Sequence, residues 1–150
     1  MRTNRGICRD AILEVFRPAI IALLRERLPA RFGENAPERL KAIMGPKAWN
    51  QLQEQEVARR QRTGRSASRA DAFDYLDVAA FHNVFTAHAD VVLAGLDRYT
   101  RARVLDHLVR LKAERDASSH PEAPDWDYEH AFDVLVDARK VLTELGLHGA

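Results

Sequence analysis

The chain has a single cysteine, Cys8, so an internal disulfide and the cross-linked secreted frameworks built on several of them are excluded. Cys8 itself reads as a small buried or half-buried side chain rather than a reactive thiol. Long apolar runs are missing too. The longest, Ala19 to Leu24, is flanked by Arg17 and Arg25 and falls far short of the ~20 residues that span a bilayer. Arg2, Arg5 and Arg9 are not followed by the apolar stretch and small-residue cleavage site of a secretion signal. The expectation is a cytoplasmic protein with no membrane contact. There is no internal repeat, no strand-like alternation, no glycine-rich phosphate loop and no Ser-His-Asp ordering. A di-metal helical bundle needs Glu-x-x-His pairs, and none occurs, so neither a metal nor another cofactor is expected.

What is present is helical periodicity almost throughout. With 150 residues, 46% of them apolar and 30% charged, the chain fits one globular domain spanning 1–150. The pattern predicts an all-α bundle of four to six helices. The first runs from about Gly6 to Leu28 with Ile7, Ile12, Leu13, Phe16, Ile20, Leu23, Leu24 and Leu28 on a broad apolar face. Pro18 should kink or split it, and Pro29 should end it. A short helix from Glu38 to Met44 stops at Gly45-Pro46, and another follows to about Arg60. A long apolar helix is expected from Ala70 to Thr86, then a piece holding Val91 to Leu93. Thr100 is the expected N-cap of the next helix, in which Val104, Leu108 and Leu111 form one stripe. The last helix should start near Asp127, with Tyr128, Phe132, Leu135 and Leu142 on one face and Ala131, Ala138, Val141 and Leu145 beside it.

The net charge of +1 hides a polarity: residues 1–70 hold 15 Lys and Arg against 7 Asp and Glu, and residues 71–150 hold 8 against 15. Opposite halves of a bundle normally pack on each other, which accounts for much of this. The sharpest local feature is the stretch from Arg59 to Arg69, with Arg59, Arg60, Arg62, Arg65 and Arg69 and no apolar residue larger than alanine. It reads either as a solvated connector or as a phosphate-binding segment, because guanidinium groups bind anions in bidentate fashion. Without interleaved aromatics, base stacking has no support there.

The stripe of Val104, Leu108 and Leu111 continues one turn further onto Arg115. A guanidinium on that line needs a partner: a carboxylate, helix-end carbonyls or a ligand anion. Five residues on stands His120, followed by Pro121, which should end the helix at or before the histidine. Arginine and histidine converging at a helix end suit phosphodiester cleavage, since histidine moves a proton near neutral pH and arginine stabilises charge growing on phosphate. Two structural roles compete with this. Arg115 could pair with Asp116, Asp127 or Glu129 to hold the last two helices together, and His120 could cap the helix. Arg101 and His107 form a rival pair, but only Arg115 and His120 stand at a helix terminus.

Arg115-Asp116-Ala117-Ser118-Ser119-His120 resembles the signature of the HEPN superfamily: an arginine, a polar residue, then a histidine, with four to six residues between arginine and histidine, set between the last two helices of a bundle. The opening helix around Ile12 to Ile21, with its internal proline, and Phe81-His82-Asn83-Val84-Phe85 resemble one branch, named after a nuclear mRNA-surveillance endonuclease. The resemblance implies a HEPN-like helical bundle acting as a homodimer, with Arg115, His120, Asp116 and Ser119 as catalytic residues and RNA as substrate. It implies a metal-independent endoribonuclease of toxin or phage-defence type. Other HEPN proteins are non-catalytic modules for dimerisation or for RNA or nucleotide binding, serving a larger partner. Asp116 stands where asparagine is usual and Ser118 where the branch often has an aromatic, so both readings stay open. Proteins of this branch are often longer, with the helical domain first, which makes an N-terminal domain of a longer chain a further expectation.

Overall fold

A computed structural model describes residues 3–63, 72–118 and 124–147, and every regular element among them is helical, as the periodicity predicts. None of the helices in that region is long and apolar enough to cross a membrane.

The chain opens with a continuous rod. Helix α1 (Asn4–Ala11) is capped by Thr3, whose hydroxyl accepts from Gly6 N at 2.9 Å. A π-helical turn, Ile12–Phe16, leads straight into α2 (Arg17–Phe32). Pro18 therefore does not split the helix, as it was expected to do if it did not kink it; a π turn precedes it instead. A proline has no N–H to give and its ring crowds the carbonyl four residues back, here Glu14, and the wider π turn opens that place without breaking the rod. Pro29 does not end α2, which runs on until Gly33 takes a positive φ of 57°.

Helices α3 (Ala36–Met44) and α4 (Pro46–Thr63) meet at Gly45, at the predicted stop. The expected helix from Ala70 to Thr86 is instead a 3₁₀ turn, Ala72–Tyr75, followed by α5 (Val78–Ala87). Asp77 divides them, because its carboxylate accepts from Val78 N at 2.6 Å and starts a new helix. After α6 (Ala89–Val92), α7 (Arg98–Ser118) is begun by Asp97 rather than Thr100. The Asp97 carboxylate accepts from Thr100 N at 2.7 Å, and that bond and its partners hold Asp97 below the usual carboxylate range. Asp127 caps α8 (Tyr128–Glu144), accepting from His130 N at 2.7 Å, where the last helix was expected to start.

Helix α7 packs along α5 on one side and α8 on the other. Phe16, Ile20, Leu24 and Leu28 of the rod, Phe81 and Phe85 of α5, and Val104, Leu108 and Leu111 of α7 make one fully buried core. Two expected faces are corrected. Ile7 and Leu13 are exposed, and α8 buries Ala131, Val134, Ala138, Val141 and Leu145 while Tyr128 and Phe132 remain 76% and 55% exposed. Helix α8 has turned its small residues inward because α1 lies close against it: Cys8, itself buried, donates its thiol proton to Ala131 O at 3.3 Å. Burial, then the Asp125 carboxylate, pushes that thiol's pKa up, away from reactivity.

Candidate functional site

Arg115 lies in the last turn of α7, on the line of Val104, Leu108 and Leu111 as predicted. It is not held in the core. At that level α5 is only beginning, so the arginine projects past the buried layer with 46% of its side chain accessible. Its Nη2 meets Asp77 Oδ2 at 2.7 Å, so the capping aspartate of α5 uses one oxygen on its own helix and the other on α7. Besides the candidate partners Asp116, Asp127 and Glu129, Arg115 thus has a partner on α5, and this pair ties α7 to that helix.

The motif's other members lie mostly outside the described residues. Ser119 and His120 fall outside them, as do Arg65 and Arg69, so the expected helix end at the histidine also lies outside the described residues. Asp116 is in the helical backbone of α7, and Arg59, Arg60 and Arg62 are in that of α4, which extends further than expected; their side chains are not described. The far side of the α7–α8 link is firmly anchored. Asp125 accepts from Asn4 N and Arg5 N at 3.1 and 3.0 Å, placing a carboxylate on the open N–H groups of α1. Those bonds, with Arg5 foremost, hold the Asp125 carboxyl below the usual range. Asn4 Nδ2 also donates to Trp126 O at 3.0 Å. The start of the chain therefore pins the end of the link that carries the motif.

The structure adds a set of side chains that the sequence reading passed over. Along the α7–α8 seam, Arg103, His107, Arg110 and Glu114 face Glu144, Asp137 and His130 in an antiparallel ladder. Arg103 meets Glu144 at 3.4 Å, His107 Nδ1 and Arg110 Nη2 share Asp137 Oδ1 at 2.7 and 3.2 Å, and Glu114 Oε2 meets His130 Nε2 at 2.8 Å. Arg110 Nη2 also approaches His107 Nδ1 to 2.6 Å. An ionised carboxylate only accepts, so Nδ1 carries the proton toward Asp137, and the shared carboxylate holds the two donors together. His107 is 8% exposed, whereas His130 stands at the edge of a groove of about 430 Å³ with Arg110, Asp133, Asp137 and Lys140. The signal was in the text. Positions 103, 107, 110 and 114 repeat at helical spacing opposite acid and histidine at 130, 137 and 144.

The rival pair does not assemble, because Arg101 donates from Nε to Leu96 O at 3.0 Å while His107 turns to Asp137. His82 and His88 also stay apart in role. His82 contacts Thr86, and His88 packs its ring on Phe32 at 5.0 Å with its Nε2 buried and without a hydrogen-bond partner. Among the described residues no group of three or more His, Cys, Asp or Glu is arranged to hold a metal ion. Comparison with protein-family models, curated proteins and solved structures finds no match for this chain.

Proposed function

We propose that the chain is a HEPN-type, metal-independent endoribonuclease that acts as a homodimer, in a toxin or phage-defence setting. The observation that carries this reading is the half-exposed Arg115 guanidinium in the last turn of α7, at the end where the chain turns back into antiparallel α8. An arginine there can reach a phosphate, and its place at the end of the penultimate helix is consistent with a motif that begins there and runs toward the last one.

In this reading RNA supplies its own nucleophile. The 2′-hydroxyl attacks the adjacent phosphorus, the bond to the 5′ oxygen breaks, and the products are a 2′,3′-cyclic phosphate and a 5′-hydroxyl. His120 carries the proton transfer, and Arg115 stabilises the charge on the equatorial phosphate oxygens. Asp116 or Ser119 orients one of them, and the arginines from Arg59 to Arg69 contact phosphates along the strand. A two-fold dimer doubles the single arginine and histidine of each chain. Tyr128 and Phe132, exposed on the first turns of α8, support self-association.

One observation favours the second reading, a non-catalytic module for dimerisation or RNA binding. The Arg115 guanidinium is already paired with Asp77, and the sequence around the motif, with Glu114, Asp125 and Asp127, is acidic. Incubation of the chain with single-stranded RNA, with and without chelator, separates the two. Cleavage that resists chelator and disappears in His120→Ala, with the helical circular dichroism unchanged, supports the ribonuclease. Cleavage that survives His120→Ala or requires added metal overturns the mechanism, and a folded dimer that binds RNA without cutting it leaves the module.

A further inference from the structure

Helix α8 has three sides, and its neighbours cover two of them. One packs Val134, Ala138, Val141 and Leu145 into the core, and a second sets His130, Asp137 and Glu144 against α7. On the side opposite that ladder stand Tyr128, Phe132, Leu135 and Arg139, at steps of four, three and four residues that make one strip along a helix. Tyr128, Phe132 and Arg139 are exposed and Leu135 is half-buried. The rod leaves this strip open. It runs beside α8 in the same direction, with Asn4 at Asp125 and Cys8 at Ala131, and its own Ile7 is 45% exposed.

We infer that a second copy of this chain docks on the strip, with the two α8 helices antiparallel about a two-fold axis, an assignment that rests on the homodimer part of the reading above and on none of its chemistry.

The strip is complementary to itself in that direction. With the axis passing between Asp133 and Val134, Tyr128 of one copy faces Arg139 of the other, and Phe132 faces Leu135. Each guanidinium then lies over a tyrosine ring and each phenylalanine ring on a leucine, and both contacts occur twice, as an isologous interface requires. Charge selects the same direction. Glu129 and Asp133 stand exposed on the first turns of α8, behind Asp125 and Asp127, while Arg139 and Lys140 stand exposed further along. The acids of that later part, Asp137 and Glu144, are already met by α7. Antiparallel helices therefore set the acidic start of one copy against the basic later turns of the other, whereas parallel helices set acid on acid. Opposed helix dipoles favour the same choice. From Tyr128 to Arg139 the strip runs about 16 Å, a small patch by the standard of stable complexes, which predicts a dimer of micromolar affinity.

Sedimentation of the full chain from low micromolar to several hundred micromolar concentration tests this. The wild type should pass from monomer to dimer. Phe132→Glu should stay monomeric with its helical circular dichroism unchanged, while Val109→Glu, at an exposed apolar side chain of α7 away from the strip, should leave the dimer intact. Tyr128→Lys and Arg139→Glu should each weaken the dimer about tenfold, and the two together should recover it, because the lysine of one copy then meets the glutamate of the other. Arg139 is exposed, so these variants keep the test open if Phe132→Glu loses its helical signal. A wild type that is monomeric throughout overturns the pairing together with the homodimer it rests on. A dimer that Phe132→Glu leaves intact, or that Val109→Glu disrupts equally, overturns this face and leaves the homodimer standing. Failure of the double variant to recover overturns the antiparallel arrangement. The readout is mass, so a dimer of this kind that leaves RNA uncut counts against the ribonuclease and supports the interface.

Discussion

The two flanks of α7 are built from different chemistry. Toward α5, Val104, Leu108 and Leu111 meet Phe81 and Phe85 in a dry, fully buried layer, with the Arg115–Asp77 ion pair at its end. Toward α8 the outer seam is a ladder of charged side chains from Arg103 to Glu114, with the apolar Val134, Val141 and Leu145 beneath it. An apolar layer is favourable in many registers, because burial is non-directional. A ladder in which each cation must find its carboxylate admits one register. Helix α5 thus gives α7 its stability and α8 gives it its alignment, and it is the aligned side that holds both paired histidines.

The largest expected effect tests the dry flank. Leu108 is completely buried, so Leu108→Ala should cost about 2–5 kcal/mol in urea unfolding, through lost transfer energy and the cavity left behind. Val109, one residue on, is 45% exposed, and Val109→Ala should stay within about 0.5 kcal/mol. Similar losses at the two positions would mean that the α5 layer is not the stabilising one.

A second test concerns the buried histidine beside α5 that has no hydrogen-bond partner at Nε2. His88, just beyond α5, has a buried Nε2 with no hydrogen-bond partner, and burial first, then the Arg39 charge, lowers its pKa against a smaller opposing pull from Asp90. A lowered folded-state value means that the unfolded chain takes up the proton first. Stability is therefore complete above the ordinary histidine value of about 6.5, falls as the pH drops through it, and levels off below the folded value. His88→Leu removes the titrating group and the unsatisfied nitrogen, so its stability should fall less than the wild type's between pH 7 and pH 5. Parallel curves for the two proteins would reject this account of His88.

How much of this was legible follows from what each residue needs. The start of the last helix near Asp127 could be read because that residue stands immediately before an apolar-periodic run, and α8 does start there. Asp77 was hidden inside the run from Phe73 to Phe85, where the only sign of a break is one aspartate before a β-branched residue. At the start of α7, Thr100 has the side chain of a cap, but it is the three-dimensional start of the helix that makes Asp97 accept from Thr100 N. The inward face of α8 was misread because Tyr128 and Phe132 are the larger apolar side chains. The close approach of α1 selects Ala131, Val134 and Ala138, and such proximity is a tertiary fact. In the candidate site, the position of Arg115 at the helix end followed from periodicity. Its partner Asp77, 38 residues earlier in the chain, did not, since nothing local links them. The α7–α8 ladder was missed for the opposite reason: charged residues at helical spacing usually mean a solvated face, and two such faces look alike until they meet.

The smallest expected effect lies at the open end of that ladder and decides whether the ladder is graded. Arg103 reaches Glu144 only at 3.4 Å, with 54% and 31% of the two side chains accessible, and it also donates to Thr100 Oγ1 at 3.1 Å. A pair this exposed gains little, because water screens it and two long side chains must be held in one arrangement. A double-mutant cycle on Arg103→Ala and Glu144→Ala should give a coupling below about 0.5 kcal/mol, shrinking further in added salt. Further in, the shared Asp137 carboxylate serves two partners at 2.7 and 3.2 Å beside a nearly buried imidazole, where each lost hydrogen bond costs more. The seam should therefore tighten from Arg103 toward His107. A coupling above about 1 kcal/mol at Arg103 would mean that the ladder acts as one network along its whole length. The polar flank would then contribute stability as well as register, and the division between the two sides of α7 would fail.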